Sequence, residues 1–252
     1  MKLVDSHCHI HDEAFFAGEE REAVYQRAEE AGTYAILVGT SESDSRAAIT
    51  FASMHKNASA VVGVHPHDTR HGWDDIGVIL KEGSKDVVGV GEIGLDYFYD
   101  NSPRDIQLEA LSQQLQWALD YNLPVSFHVR EAFEDFWPVF DNFSGLRGVL
   151  HSFTDTSKTL EAALARGLYI GVNGISTFTK QADQQEMFLR IPLDRMLLET
   201  DAPFLTPKPY RGKVNEPAFV RFVAEHHANT RQCEYEVLAQ QTTANAQALF
   251  AI

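Results

Sequence analysis

The sequence is poor in cysteine and in positive charge. Only Cys8 and Cys233 occur among 252 residues, too few for a disulfide framework, and a reducing cytoplasm is the natural setting. Lys and Arg number 21 against 36 Asp and Glu, a formal net charge of −15. So acidic a chain is unsuited to wrapping long nucleic acid, which requires clustered positive charge. It can still act on a phosphodiester locally if a metal ion supplies that charge. No apolar run approaches the roughly 20 residues of a membrane span, and the N-terminus lacks the basic and apolar regions of a signal peptide. No membrane partner is therefore expected. No G-x-G-x-x-G or P-loop pattern follows an apolar run. No low-complexity or linker segment divides the chain, so a single domain over residues 1–252 and a monomer are expected.

What is present is a short apolar run followed by a longer amphipathic one, repeated along the chain. Strands are expected at 2–6, 34–39, 60–64, 87–91, 125–127, 148–150, 169–172 and 195–198. Each is apolar on both faces, as in a parallel sheet covered by helices. Helices are expected at 18–31, 43–55, 103–121, 132–142, 157–166, 181–190, 216–229 and 234–250. The clearest is 103–121, with Ser102 as N-cap, Pro103 at the first helical position and a stripe of Leu108, Leu111, Leu115 and Leu119. Eight such units in this length make an α/β chain of the (β/α)8 TIM barrel class; a doubly wound open sheet is the runner-up.

In such a barrel, chemistry sits at the C-terminal ends of the strands. On the first strand, alternation puts Asp5, His7 and His9 on one face and Cys8 on the other. The third ends in His65 and His67, the fourth in Glu92 and Asp96, the fifth in His128 and Arg130, the sixth in His151, and the eighth in Glu199 and Asp201. One such residue at a rim is usually a satisfied polar group. Six strands of eight ending this way are hard to explain so, because unpaired buried charges are costly. Imidazole and carboxylate without thiolate suit Zn, Mn or Mg. His7, His9, Glu92, His128, His151 and Asp201 exceed the need of one tetrahedral ion. Two divalent metal ions bridged by a carboxylate use all six, and Glu92 is the expected bridge.

The motif order HCH, GVHPH, GEIGLDY, FHVREA, HSF and ETDAPFL is similar to that of the TatD family of metal-dependent deoxyribonucleases, from Val4 through Thr242-Thr243-Ala244-Asn245-Ala246. The resemblance implies a (β/α)8 barrel, a two-metal site and hydrolysis of DNA phosphodiesters. By motif position the family's metal ligands fall on the same six residues, and its substrate-side histidine falls on His65. Three positions depart from the family pattern. Thr177-Phe178-Thr179-Lys180 stands where relatives read TFKNA, Val214 where they carry Arg, and Asp155 where they often carry Gly.

The expected activity is a cytoplasmic, metal-dependent hydrolase cleaving DNA exonucleolytically from strand ends. Asp201 and Glu92 are its catalytic carboxylates, with Asp201 taking the proton of the attacking water. His65 and Arg130 hold phosphate charge. The alternative is hydrolysis of an amide, lactone or ester bond in a small molecule by the same two-metal barrel, since fold alone does not choose. A non-catalytic binding module would need a broken metal set, and none of the six ligands is missing. Cys8 is expected under a helix, His67 in a structural role, and His55, His226 and His227 at the surface. Asp5, Asp96 and Glu199 are candidates for orienting the ligand imidazoles or Arg130. The Tyr97-Phe98-Tyr99 run either stacks on a base or closes the barrel.

Overall fold

A computed structural model describes residues 2–99 and 101–252. In chain order the elements are β1 (Leu3–Cys8), α1 (Glu19–Ala31), β2 (Thr33–Val38), α2 (Glu42–Met54), β3 (Ala58–Val62), α3 (Asp74–Glu82), β4 (Val87–Asp96), α4 (Arg104–Asp120), β5 (Val125–Arg130), α5 (Phe133–Asp141), β6 (Gly148–Leu150), α6 (Ser157–Ala165), β7 (Tyr169–Val172), α7 (Ile175–Phe178), α8 (Ala182–Arg190), β8 (Met196–Leu198), α9 (Val220–Arg231) and α10 (Tyr235–Phe250). The strands follow one another in sheet order β1 to β8, the alternation of the (β/α)8 class expected from sequence. Among the described residues, no helix is long and apolar enough to cross a membrane.

The chain divides into two units, Met1–Leu37 with His151–Ile252, and Val38–Leu150. In the first, β1 pairs parallel with β2 and β7 with β8. Ala35, Ile36, Leu37, Ile170, Val172 and Leu197 are wholly buried, as are Val223 and Ala224 of α9 and Leu238 of α10. Each such Val, Leu or Ile side chain contributes about 1.5–3 kcal/mol by leaving water. Asn245 on α10 does a second job. Its amide donates to the carbonyls of Leu193 and Met196, each at 2.8 Å, which fixes the chain entering β8.

In the second unit β3, β4, β5 and β6 pair parallel in turn. Here the inward face of α4 differs from the leucine stripe. Gln107, Ala110, Leu111, Gln114, Leu115 and Ala118 are buried, so the helix is rotated toward two glutamines. Both are consumed by strand-end backbone. Gln114 accepts from Val64 N at 2.8 Å and donates to Val64 O at 3.2 Å. Gln107 accepts from Asp96 N at 2.9 Å and donates to Asp96 O at 3.2 Å. Past Val62 and Val90, the last partners of β3 and β4, the backbone on that side still requires hydrogen bonds, and these amides supply them. Ser102 is not the α4 N-cap. Pro103 holds that position, and the Ser102 hydroxyl donates to His67 O and accepts from Arg70 N.

Other differences are local. β4 and β5 run further than expected, so Glu92, Asp96, His128 and Arg130 lie within strands. α3 was not expected, because its nine residues contain Gly77 and only Ile76, Ile79 and Leu80 turn inward. Gly77 sits there because a Cβ would meet the Trp117 ring at 2.8 Å. His227 is buried, not at the surface as expected. Its ring faces Ser176 Oγ at 3.0 Å, and burial, then the neighbouring His226 and Arg231 charges, pushes its pKa down to about 3.

Candidate metal centre

In the first unit the hydrogen-bond ladder continues past the ends of β1 and β8. Asp201 N donates to His7 O and His9 N to Ala202 O, each at 2.8 Å. This register sets Asp201 beside two histidines that strand alternation already puts on one face. Asp201 takes a left-handed φ of 58°, a conformation Asp tolerates better than most residues. Asp5 holds both segments from below. Its carboxylate accepts from His7 N at 3.3 Å and from Thr200 N at 2.8 Å, and also from the Thr200 hydroxyl. Burial pushes its pKa well up, against these donors. Asn215 then ties the Thr200 and Phe204 carbonyls together at 2.8 and 2.6 Å.

The donor atoms converge. His7 Nε2 lies 3.2 Å from His9 Nε2, and Asp201 Oδ1 lies 3.4 Å from His9 Nε2 and 3.9 Å from His7 Nε2. Tetrahedral ligands at about 2.0–2.1 Å from an ion are separated by about 3.3 Å, so this trio fits a divalent cation. Burial opposes ionisation of Asp201, but the His9 hydrogen bond and the charges of His151, His7 and His9 outweigh it and lower its pKa. His151 stacks on His7 with ring centroids 3.9 Å apart. Glu199 accepts from Ser152 N beside it. Cys8 is fully buried, with Sγ 3.5 Å from Ile36 O, and takes no part.

In the second unit His65, Glu92 and His128 form another candidate metal cluster. His128 Nδ1 lies 2.9 Å from Glu92 Oε1, while its Nε2 lies 2.9 Å from Asp96 Oδ2. A carboxylate receives the Nε2 proton and so leaves the Nδ1 lone pair facing the cluster, the arrangement that orients metal-ligating histidines. Asp96 also accepts from His67 Nε2 at 3.0 Å and, through Oδ1, from the Phe98 and Tyr99 N–H groups at 2.9 and 3.0 Å. Burial works against the Asp96 anion, yet the donations from His128, His67 and Tyr99 win and hold its pKa far below the usual range. Gly94 of the GEIGLDY motif has φ 152°, and a Cβ there would collide with His128 O. The glycine therefore lets β4 and β5 close up between Glu92 and Asp96.

His65 behaves differently from the others. Its Nδ1 accepts from His67 N at 3.1 Å, which leaves the proton on Nε2, 3.5 Å from Glu92 Oε1. That nitrogen is a donor. Arg130 pairs with no carboxylate of the described residues; its guanidinium lies over the Phe98 ring, 3.8 Å from the centroid. Thr156 caps α6, its hydroxyl accepting from Thr159 N, and Asp155 accepts from Thr156 N and Thr159 Oγ1 just ahead of the helix. Sequence reasoning missed Gln107, Gln114, Thr200 and Asn215 as organisers of the strand ends. Buried amides facing backbone leave no periodic signal.

A (β/α)8 chain whose strand ends gather imidazole and carboxylate donors defines the class of metal-dependent hydrolases. Residues 4–251 match the model of the family described as TatD related DNase, and the chain belongs to this TatD family. It is 35% identical over 255 residues to an uncharacterized metal-dependent hydrolase, YabD, of Bacillus subtilis, with 99% of each chain covered. It is 36% identical to the 3'-5' ssDNA/RNA exonuclease TatD of Erwinia amylovora, covering 93% of this chain and 95% of the other. The crystal structure of YJJV, a TatD homolog from Escherichia coli, superposes with a TM-score of 0.92 at 29% identity, covering 100% of this chain and 98% of that one. The protein is a TatD-family hydrolase, and the donor set accords with metal dependence.

Proposed function

We infer that the protein is a cytoplasmic, monomeric two-metal exonuclease that removes nucleotides from the ends of single-stranded DNA. The observation that carries this reading is the converging trio His7, His9 and Asp201, with donor separations of 3.2 to 3.9 Å, in a chain of the TatD family. His7, His9, His151 and Asp201 would hold one ion and His128 the other, with Glu92 as the shared carboxylate. Bound divalent ions supply positive charge to the phosphoryl oxygens and acidify water. The remaining work belongs to this chain. Asp96 keeps the His128 proton on Nε2. His65 donates from Nε2 to a phosphate oxygen, and Arg130 places a cationic donor there. Asp201 accepts the proton of the attacking water at its carboxylate.

Two features support a strand end over a long duplex. The formal charge of −15 disfavours an extended phosphate interface. The relative from Erwinia is itself named for single strands. Shortening of an end-labelled single strand after Mg²⁺, Mn²⁺ or Zn²⁺ is restored to metal-stripped protein tests the proposal. Stepwise loss of mononucleotides is the expected result. Hydrolysis confined to amides, lactones or carboxylic esters would overturn it in favour of the alternative chemistry.

A further inference from the structure

Two large aromatic side chains beside the Asp96 anchor are not packed away. Phe98 is 49% exposed and Tyr99 46%, and their rings meet edge to face at 4.7 Å. They are nevertheless held in place. Asp96 Oδ1 accepts both of their backbone N–H groups, and Tyr99 packs edge-on against the His67 ring at 5.3 Å. The Arg130 guanidinium lies 3.8 Å from the Phe98 centroid and 5.0 Å from that of Tyr99. Arg130 is two residues beyond His128 on β5. One carboxylate, Asp96, thus fixes both the tautomer of a candidate metal ligand and the two exposed rings.

We propose that Phe98, Tyr99 and Arg130 form a stacking platform for an unpaired nucleobase whose phosphate lies at the His65–Glu92–His128 cluster. The inference rests on the nuclease reading above and adds how the strand end is gripped. An aromatic face exposed to solvent and backed by a cation suits a planar π system, and base–aromatic stacking tolerates any sequence. The Arg130 charge complements the phosphate that such a base carries. A protein partner fits less well, because the patch is two rings wide and is bounded by Arg130 and by the Tyr97–Asp135 hydrogen bond, whereas protein interfaces need a far larger area. The platform also explains how an acidic chain holds nucleic acid: affinity comes from stacking, not from many neutralised phosphates.

The test is equilibrium binding of the full chain to a labelled five-nucleotide single strand, read by fluorescence anisotropy with Ca²⁺ present. The same strand is then used with its three terminal nucleotides abasic. The normal strand should bind at least about tenfold more tightly than the abasic one. Phe98→Leu should erase most of that preference and Phe98→Trp should keep it. Arg130→Lys, which retains charge but loses the plane, should reduce it. Equal binding of the two strands by the parent protein overturns the platform, and that comparison needs no variant to fold. Phosphodiester cleavage is followed in parallel. Cleavage with base-independent binding refutes the platform alone. Base-dependent binding without cleavage supports the platform and refutes the nuclease chemistry.

Discussion

Asp96→Asn tests how the second cluster is organised. The carboxylate Oδ2 receives N–H groups from His128 and His67 at 2.9 and 3.0 Å, and Oδ1 receives two backbone N–H groups. An asparagine can keep its oxygen toward the Phe98 and Tyr99 amides, so the turn survives. Its NH2 then points at two imidazole nitrogens that were donors. His128 must accept at Nε2, which moves its proton to Nδ1, the atom 2.9 Å from Glu92 Oε1. A protonated Nδ1 cannot ligate a cation. Losing a group that fixes a metal ligand's tautomer typically costs 10–100-fold in metal affinity, or about 1.4–2.8 kcal/mol. Two charge-assisted hydrogen bonds also weaken, so metal-free protein should lose about 2–4 kcal/mol of stability. The assays are activity against metal concentration and chemical unfolding of the metal-free protein. Activity should be half-restored only at 10–100-fold higher metal and should approach the parent value at saturation. An unchanged half-saturating concentration would refute the tautomer argument, whatever the stability change.

Glu92→Gln should abolish turnover, roughly a thousandfold or more, while the fold persists, because a neutral amide cannot offset the repulsion of two cations; hydrolysis and thermal unfolding beside the parent check this at matched metal occupancy. His227 supplies a pH test away from the metal centre. Its folded pKa of about 3 lies below the unfolded value of about 6.5, so the unfolded chain binds the extra proton between them. Stability is full above the unfolded value and falls as pH drops through that window, by at most about 1.4 kcal/mol per pH unit. The stability difference between parent and His227→Gln, followed by urea unfolding from pH 7 to pH 4, should shrink accordingly; a constant difference would contradict it. Finally, log affinity for a short oligonucleotide should fall with log salt far less steeply than the slope of about −10 of a broad phosphate interface, and a steep slope would reveal an extended basic groove.

The strands were legible because a parallel sheet buries both faces, so β6 and β7 appear in the sequence with the bounds they have in the fold. His7 and His9 were legible because alternation alone places them on one face, and the structure brings Asp201 to them. What the sequence hid was polar and internal. The leucines of α4 suggested one inward face, but Gln107 and Gln114 pull the helix round to serve backbone that the strands leave without partners. His227 lay on a helix with polar neighbours and looked like a surface residue, yet Ser176 receives it in the interior. Asp96 was recognisable as an orienting carboxylate. Its four donors come from β5, the loop after β3 and the turn after β4, and no local pattern foretells that number.

The central claim is metal-dependent cleavage of phosphodiesters by the gathered imidazoles and carboxylates. It is tested most directly by stripping the protein of metal, adding Mg²⁺, Mn²⁺ or Zn²⁺ stepwise, and following an end-labelled single-stranded oligonucleotide together with amide, lactone and carboxylic ester substrates. Cleavage should be absent without metal. It should rise until two ions per chain are bound, shorten the oligonucleotide from one end, and leave the other substrates intact. Saturation at one ion would contradict the two-metal centre, and turnover of the carbonyl substrates without loss of nucleotides would contradict the assigned chemistry.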